Sequence, residues 1–310
     1  MRGVGVIEFG GPEVLQIVDL PEVHAGPSEV RIRVHAATVN PVDTGLRSGS
    51  RAATMKDIEP LYVPGMDVAG VIDEVGTGAD FSVGHWVMAM VIPKASHGGY
   101  RESIVLSADS VVRVPAGSSI TEAATLPMNG LTARQTLNQL ALQPGQTLAV
   151  TGAAGCYGGY VVQLAKADGL RVIADASDAD VQLVRDLGAD IVVSRGNDIA
   201  ARIREIAPDG VDGLADGAVQ QDLAVGAVRD GGSFVSVRVY EGAGERGITF
   251  DRTMVFDFDH RADLLDRLRQ QVEEGAVTLR VAATYPAEEA AEAHRRLEAG
   301  GTRGRCVIVF

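Results

Sequence analysis

The sequence predicts an α/β protein in two parts, one β-rich and one a doubly wound parallel sheet flanked by helices. Three observations predict it. From residue 147 onward, short apolar segments alternate with helix-length ones. Right-handed crossovers between such segments leave a parallel sheet with helices on both faces as the simplest arrangement. Before that, up to about residue 115, short apolar stretches are punctuated by Gly and Pro, with little helical periodicity. Finally, the chain closes on Arg305-Cys-Val-Ile-Val-Phe310, an apolar strand that follows a helix and needs a sheet to join.

In the first part, residues 30–36, 68–75, 85–91 and 110–114 read as strands. Residues 121–142 read as one helix, stopped by Pro144-Gly145. Strands are then expected at 147–151, 171–174, 191–193, 211–215 and 233–237, with helices at 158–168, 178–187, 197–206 and 219–229. Two amphipathic helices, 262–274 and 287–299, precede the final strand. The β-rich part is the sheet available to that strand. The expected organisation is therefore a discontinuous first domain, 1–117 with 257–310, and an inserted second domain, 118–256.

The most informative stretch is Thr147-Leu-Ala-Val-Thr-Gly-Ala-Ala-Gly-Cys-Tyr-Gly-Gly-Tyr160, where an apolar strand runs into a glycine turn and then a helix. Gly152 permits a tight turn, Gly155 a close backbone approach to a pyrophosphate, and Gly158 close contact between helix and strand. The helix N-terminus, with the amides of Ala153, Ala154, Cys156 and Tyr157 around it, favours an anion. A second strand, Arg171-Val-Ile-Ala174, ends at Asp175, within the interval at which an acid meets the adenosine ribose. A carboxylate there favours NAD. Arg195, after Ile191-Val-Val-Ser194, and Ser177 offer the opposite preference, a site for the 2′-phosphate of NADP. Asp178 and Asp180 read as decoration of a helix N-terminus.

Bulk properties narrow the class. With 310 residues, 46% of them apolar, the chain can bury a large core. A net charge of −13, without a Lys/Arg cluster, argues against nucleic acid or an anionic membrane as partner. No apolar run approaches the roughly 20 residues that cross a bilayer. The opening Met-Arg-Gly-Val-Gly-Val-Ile lacks the features of a secretory leader, and Cys156 and Cys306 make neither a disulfide framework nor a zinc site. The expectation is a cytoplasmic enzyme.

Several segments together resemble the medium-chain dehydrogenase/reductase superfamily, in its zinc-free quinone oxidoreductase branch. They are Val39-Asn-Pro-Val-Asp-Thr44, Pro64-Gly-Met-Asp-Val-Ala-Gly70, Gly98-Gly-Tyr100, Ala123-Ala-Thr-Leu-Pro-Met-Asn-Gly-Leu-Thr-Ala133, the turn at 152–158, Leu187-Gly-Ala-Asp190, Gly231-Gly232 and Ala287-Glu-Glu-Ala-Ala-Glu-Ala-His294. The resemblance spans essentially the whole chain. It implies a GroES-like substrate domain, a Rossmann domain for NADP(H) or, alternatively, NAD(H), and a homodimer. Zinc-dependent relatives carry Cys where this chain has Asn40, and Gly-His-Glu where it has Gly65-Met66-Asp67. Thioether and carboxamide are poor zinc ligands, so no zinc is expected. Quinone reductases of this branch often place a tyrosine just after the Asn-Pro-x-Asp motif, whereas Gly45 follows Thr44 here, and Arg51 and Ala52 stand where another aromatic often appears.

What the resemblance implies is hydride transfer to a quinone, with an α,β-unsaturated aldehyde or ketone as the alternative acceptor and a non-catalytic dinucleotide-binding protein as the different-class reading. Asn40 is carried over as a carboxamide donor to the acceptor oxygen or the nicotinamide ribose, against its plain reading as a turn residue before Pro. Tyr62 is a candidate proton donor or a packed loop tyrosine. Asn129 and Thr132 are expected near the nicotinamide or in helix packing, and Ser236 and Val237 at the cofactor crevice. Tyr157, where the family usually has valine, is expected to pack the cofactor edge. Asp43 is expected to accept local hydrogen bonds, with a direct catalytic role as the alternative, and His97 and His294 are expected to be structural or at the surface.

Overall fold

The apolar C-terminal segment finds its sheet near the start of the chain: Val307 lies opposite Thr38 and Val309 opposite Ala36, antiparallel. The computed structural model describes residues 1–50, 60–240, 242, 244, 246–258 and 260–310. It divides into two units, Met1–Met128 with Phe256–Glu273 and Leu279–Phe310, and Asn129–Val255 with Glu274–Thr278.

The first strands are β1 (Arg2–Gly5), β2 (Gln16–Asp19), β3 (Glu29–Thr38), β4 (Asp67–Val75), β5 (Trp86–Met90), β6 (Ser103–Ser107) and β7 (Val111–Arg113), with helix α1 (Pro41–Ser48) after β3. Helices α2 (Ile120–Ala123) and α3 (Pro127–Leu140) follow. The alternating part holds β8 (Thr147–Thr151), α4 (Cys156–Ala167), β9 (Arg171–Ala176), α5 (Val181–Asp186), β10 (Ile191–Ser194), α6 (Ile199–Ile206), β11 (Val211–Asp216), α7 (Asp222–Val225), β12 (Val228–Ser236) and β13 (Thr249–Arg252). The chain ends with α8 (Ala262–Glu273), β14 (Val281–Pro286), α9 (Ala290–Glu298) and β15 (Arg305–Val309).

In the first unit the sheet order is β14-β15-β3-β4-β5-β7, with β6 also on β3. Along β3 the period of two is plain: Val30, Ile32, Val34 and Ala36 are buried, while Arg33 is exposed. One apolar cluster joins Val30, Ile32 and Val34 to Val68, Ile72, Val87 and Ile104; another gathers Val4, Val6, Tyr62, Val63, Tyr100, Ala293 and Ile308. In the second unit all neighbouring strands run parallel in the order β10-β9-β8-β11-β12-β13. The central strand β8 is buried on both faces from Leu148 to Thr151, as a parallel strand covered by helices must be. Among the described residues no helix is long and apolar enough to cross a membrane.

Several elements depart from the sequence reading. The helix expected over 121–142 is two helices, because Pro127 lacks an N–H and disfavours helix in the residue before it, so α2 stops and Pro127 opens α3. The helix expected over 178–187 begins as a tight turn at Asp178–Asp180. That over 219–229 shrinks to four residues, since Val219 and Gln221 take positive φ, and β12 begins already at Val228. Strands β1, β2, β6, β13 and β14 and helix α1 are additional; β13 holds one large apolar residue, Phe250, and lies at the sheet edge.

Candidate functional site

In the second unit the chain builds outward from β8 to β9 and β10, then crosses back to β11 on the other side. The strand order thus reverses between β8 and β11, the position at which ligands bind in open parallel sheets. The glycine turn follows β8 at this point. Gly152 has φ +73, and a Cβ on it would stand 3.1 Å from the Ala218 nitrogen and the Gly217 carbonyl carbon. At Gly158 a Cβ would lie 2.3 Å from the Gly152 carbonyl oxygen. Gly155 caps α4 in extended conformation. The first-turn amides of Cys156, Tyr157 and Gly158 have no acceptor within the helix by position, and the positive dipole end adds to them. Ala153 and Ala154 are buried within the turn, and the Ala153 amide, expected at the anion, is instead taken by Asp175 at 3.2 Å. These residues fit a pyrophosphate held by main-chain amides.

Asp175 corrects an expectation. Its carboxylate does not face a ribose: it is 1% exposed and accepts the amides of Gly152 at 2.6 Å and Ala153 at 3.2 Å. Arg195 Nε donates to its other oxygen at 2.9 Å. The reason is register, since Asp175 lies opposite Val193 on β10 and Arg195 follows at the end of that strand. The carboxylate raises the Arg195 guanidinium above its usual value, and that side chain keeps 41% of its surface exposed. Ser177 donates to Asp180 rather than standing free.

Ser236 at the end of β12 is fully buried, and its hydroxyl accepts the Arg238 amide at 3.3 Å. The Val237 amide donates to the Asp216 carbonyl at 3.4 Å. Sequence reasoning missed Asp216 itself. Buried at the end of β11, its carboxylate accepts the Thr151 hydroxyl at 2.7 Å and the amides of Gln220 and Gln221. The signal was present: Asp216-Gly217 ends an apolar strand in register with Thr151-Gly152. On α3, Asn129 is buried and the Thr132 carbonyl accepts the Thr136 hydroxyl at 3.0 Å. Thr136 in turn lies 2.8 Å from the Tyr157 hydroxyl.

In the first unit a buried polar cluster surrounds Asn40. Its Nδ2 donates to Asp67 Oδ2 at 2.7 Å and to Thr38 Oγ1 at 3.1 Å. Asp67 also accepts the Thr38 hydroxyl and the Met128 amide. Asp43 takes the Asn40 amide at 2.8 Å and the Gly65 amide at 2.9 Å. Burial pushes the Asp43 carboxyl up to about 7, against these two donors; burial likewise raises Asp67. Tyr100 places its hydroxyl 3.5 Å from Asp43 Oδ2 and 3.2 Å from His294 Nε2. Burial pushes that histidine down to about 3. Tyr62 is packed, with its ring stacked on Phe9 at 5.2 Å. Gly45 lies within α1, while Arg51 and Ala52 fall outside the described residues.

A zinc ion is poorly served here. Where a metal would need lone pairs, Asn40 turns its amide hydrogens toward Asp67 and Thr38, and Met66 supplies a buried thioether.

Comparison with known proteins agrees with both halves of this description. Residues 26–116 match the alcohol dehydrogenase GroES-like domain family and residues 187–308 the zinc-binding dehydrogenase family. The chain is 30% identical to the quinone oxidoreductase of Mus musculus, across 100% of this chain and 98% of that protein. The chain belongs to the zinc-free quinone oxidoreductase branch of the medium-chain dehydrogenase/reductase superfamily. It is also 31% identical to the chloroplastic NADPH-dependent alkenal/one oxidoreductase of Arabidopsis thaliana, across 97% of this chain and 77% of that protein. Among solved structures, a mycobacterial protein complexed with NADPH superimposes with a TM-score of 0.86 at 29% identity, covering 100% of both chains. This member of the branch is accordingly an NAD(P)H oxidoreductase with a GroES-like domain, a Rossmann-like domain, a nicotinamide cofactor and a small-molecule substrate.

Proposed function

We propose that this reductase uses NADPH to reduce a quinone and needs no zinc to do so. The observation that carries the reading is the Asn40–Asp67 contact: the position held by a thiolate in zinc-dependent relatives presents N–H groups, already committed to a buried carboxylate. Without a Lewis acid, alkoxide-forming alcohol oxidation loses its stabiliser. What remains is hydride delivery, supplied by the nicotinamide when bound, to an acceptor that is itself electron-poor.

The chain's contribution is to bind and orient. The turn at 152–158 holds the pyrophosphate through amides. Sequestration of Asp175 removes the carboxylate that would repel a 2′-phosphate, and Arg195 offers its exposed guanidinium edge beside it; both support NADPH. Asn40 acts through Asp67 and Thr38, keeping the chain before α1 in place, and Tyr62 contributes a packed ring.

The likeness to the Arabidopsis alkenal/one oxidoreductase favours a second acceptor class, an α,β-unsaturated carbonyl. Steady-state turnover of 1,4-benzoquinone and of 2-cyclohexenone, each with NADPH and NADH, separates these readings. The expected result is NADPH-driven quinone turnover that survives exhaustive dialysis against a chelator. Stoichiometric zinc lost together with activity would overturn the metal-free reading, and faster enone turnover would transfer the assignment to the second class.

A further inference from the structure

Tyr157 occupies an unusual place in the phosphate turn. It stands at the second position of α4, and a Cβ on Gly217 would lie 2.9 Å from its Cδ1 and Cε1. Its ring therefore lies against the backbone at the end of β11. Gly217 itself touches the glycine turn, since a Cβ on Gly152 would meet its carbonyl carbon at 3.1 Å. The aromatic ring thus lies beside Gly217 and the glycine turn, at the place where the strand order reverses.

The hydroxyl has a defined polarity. Thr136 owns one hydroxyl hydrogen and directs it to the Thr132 carbonyl at 3.0 Å. In the 2.8 Å contact between Thr136 and Tyr157, the phenol must then be the donor. Thr253 leads to the same result: it donates to Gln139 Oε1 at 3.0 Å and so accepts in its 2.6 Å contact with Thr136, which leaves the single Thr136 hydrogen shared between Thr253 and the Thr132 carbonyl and none for the phenol. Burial raises the phenol above its ordinary value, so it stays protonated. With its proton spent on Thr136, the phenolic oxygen keeps lone pairs to which no group among the described residues donates.

Topology says which part of a dinucleotide meets that oxygen. The pyrophosphate sits at the α4 N-terminus, and the β9–β10 side, with Arg195, takes the adenosine half. The other half runs over the ends of β11 and β12, and Gly217 closes β11. We propose that Tyr157 is a cofactor-positioning residue whose ring supports the nicotinamide riboside and whose phenolic oxygen accepts a hydrogen bond from it. This inference rests on the reading of the turn at 152–158 as a dinucleotide site. Two donors on that half share the required chemistry, a ribose hydroxyl and the carboxamide NH2.

The test compares Tyr157→Phe with wild type in dissociation constants for NADPH, for 2′,5′-ADP, which lacks the nicotinamide riboside, and for the 3-acetylpyridine analogue of NADPH, which lacks the amide hydrogens. Loss of one hydrogen bond is expected to weaken NADPH by about 3- to 10-fold and to leave 2′,5′-ADP unchanged. A deficit that vanishes with the analogue assigns the carboxamide as donor, and one that persists assigns the ribose hydroxyl; either supports the inference. Unchanged NADPH affinity, or equal weakening of 2′,5′-ADP, would overturn it, the latter showing a purely structural phenol. Wild-type protein that bound neither nucleotide would instead remove the dinucleotide site itself, and this inference with it.

Discussion

Arg195 reaches from the end of β10 to place its Nε 2.9 Å from Asp175 Oδ2, and the carboxylate accepts the amides of Gly152 and Ala153 as well. One buried acid thereby ties the phosphate turn to the arginine that we assign to the 2′-phosphate.

Arg195→Ala should weaken NADPH by about 10- to 100-fold, the range for a hydrogen bond to a charged group, while NADH changes little. Isothermal titration with both nucleotides checks this. Equal loss for both would remove the assignment. Asp175→Ala should act differently: it strands two amides and a cation, so the melting temperature falls and both nucleotides bind less well.

Gly158→Ala is a test of close approach. The added Cβ would sit 2.3 Å from the Gly152 carbonyl oxygen, so helix and turn must separate. Overpacking of this kind costs about 1–3 kcal/mol, and the displaced amides should abolish measurable dinucleotide binding. Thermal unfolding with and without NADPH reads both effects. A variant with wild-type nucleotide stabilisation would show that the turn is not the phosphate site.

The pH dependence of stability should carry two opposed contributions from groups that meet at the Tyr100 hydroxyl. Asp43, pushed up to about 7, holds a proton in the folded state that the unfolded chain releases near pH ~3.9. Its contribution is full below about pH 4 and is lost as pH rises to about 7. His294, pushed down to about 3, stays neutral while its unfolded counterpart binds a proton below about 6.5. That contribution is present above pH ~6.5 and is lost as pH falls toward 3. Each slope is at most about 1.4 kcal/mol per pH unit. The melting deficit of Asp43→Asn should therefore shrink from pH 5 to 7.5, and that of His294→Gln should shrink from pH 7.5 to 5. Parallel melting curves for the two variants would contradict this.

Asn40 offers a comparison of charge against loss of a donor. Asn40→Ala removes one of the donors to buried Asp67 and should cost about 1–3 kcal/mol. Asn40→Asp places a second carboxylate where a hydrogen-bond donor stood 2.7 Å away. Its destabilisation at pH 7.5 should exceed that of the alanine variant, with the gap narrowing at pH 5 as the pair shares a proton. Denaturant titrations at both pH values give the comparison, and equal losses would mean that Asn40 and Asp67 are not coupled.

Much of the fold was legible because its signals are short-range. The apolar run before Gly152, the amphipathic segments and the terminal strand at 305–309 all appear where spacing placed them. Misreadings cluster where one residue overrides a pattern, as Pro127 does in splitting a helix and as positive φ at Val219 and Gln221 does in shortening another. The edge strand β13 carried almost no apolar signal because it is paired on one side only.

Glycine spacing and the alternation of strand and helix sufficed to announce a phosphate turn on a parallel sheet, since steric allowance and side-chain periodicity belong to neighbours a few residues apart. The destination of each polar side chain was settled by three-dimensional packing alone. Asp175 serves the turn and not a ribose because β8 and β10, on either side of β9, bring Gly152 and Arg195 to it from 23 and 20 residues away. The Tyr157 hydroxyl meets Thr136 because the fold brings α3 within 2.8 Å of it. Hydrogen bonds inside a core are decided by what the fold brings within 3 Å, and linear order holds no record of that.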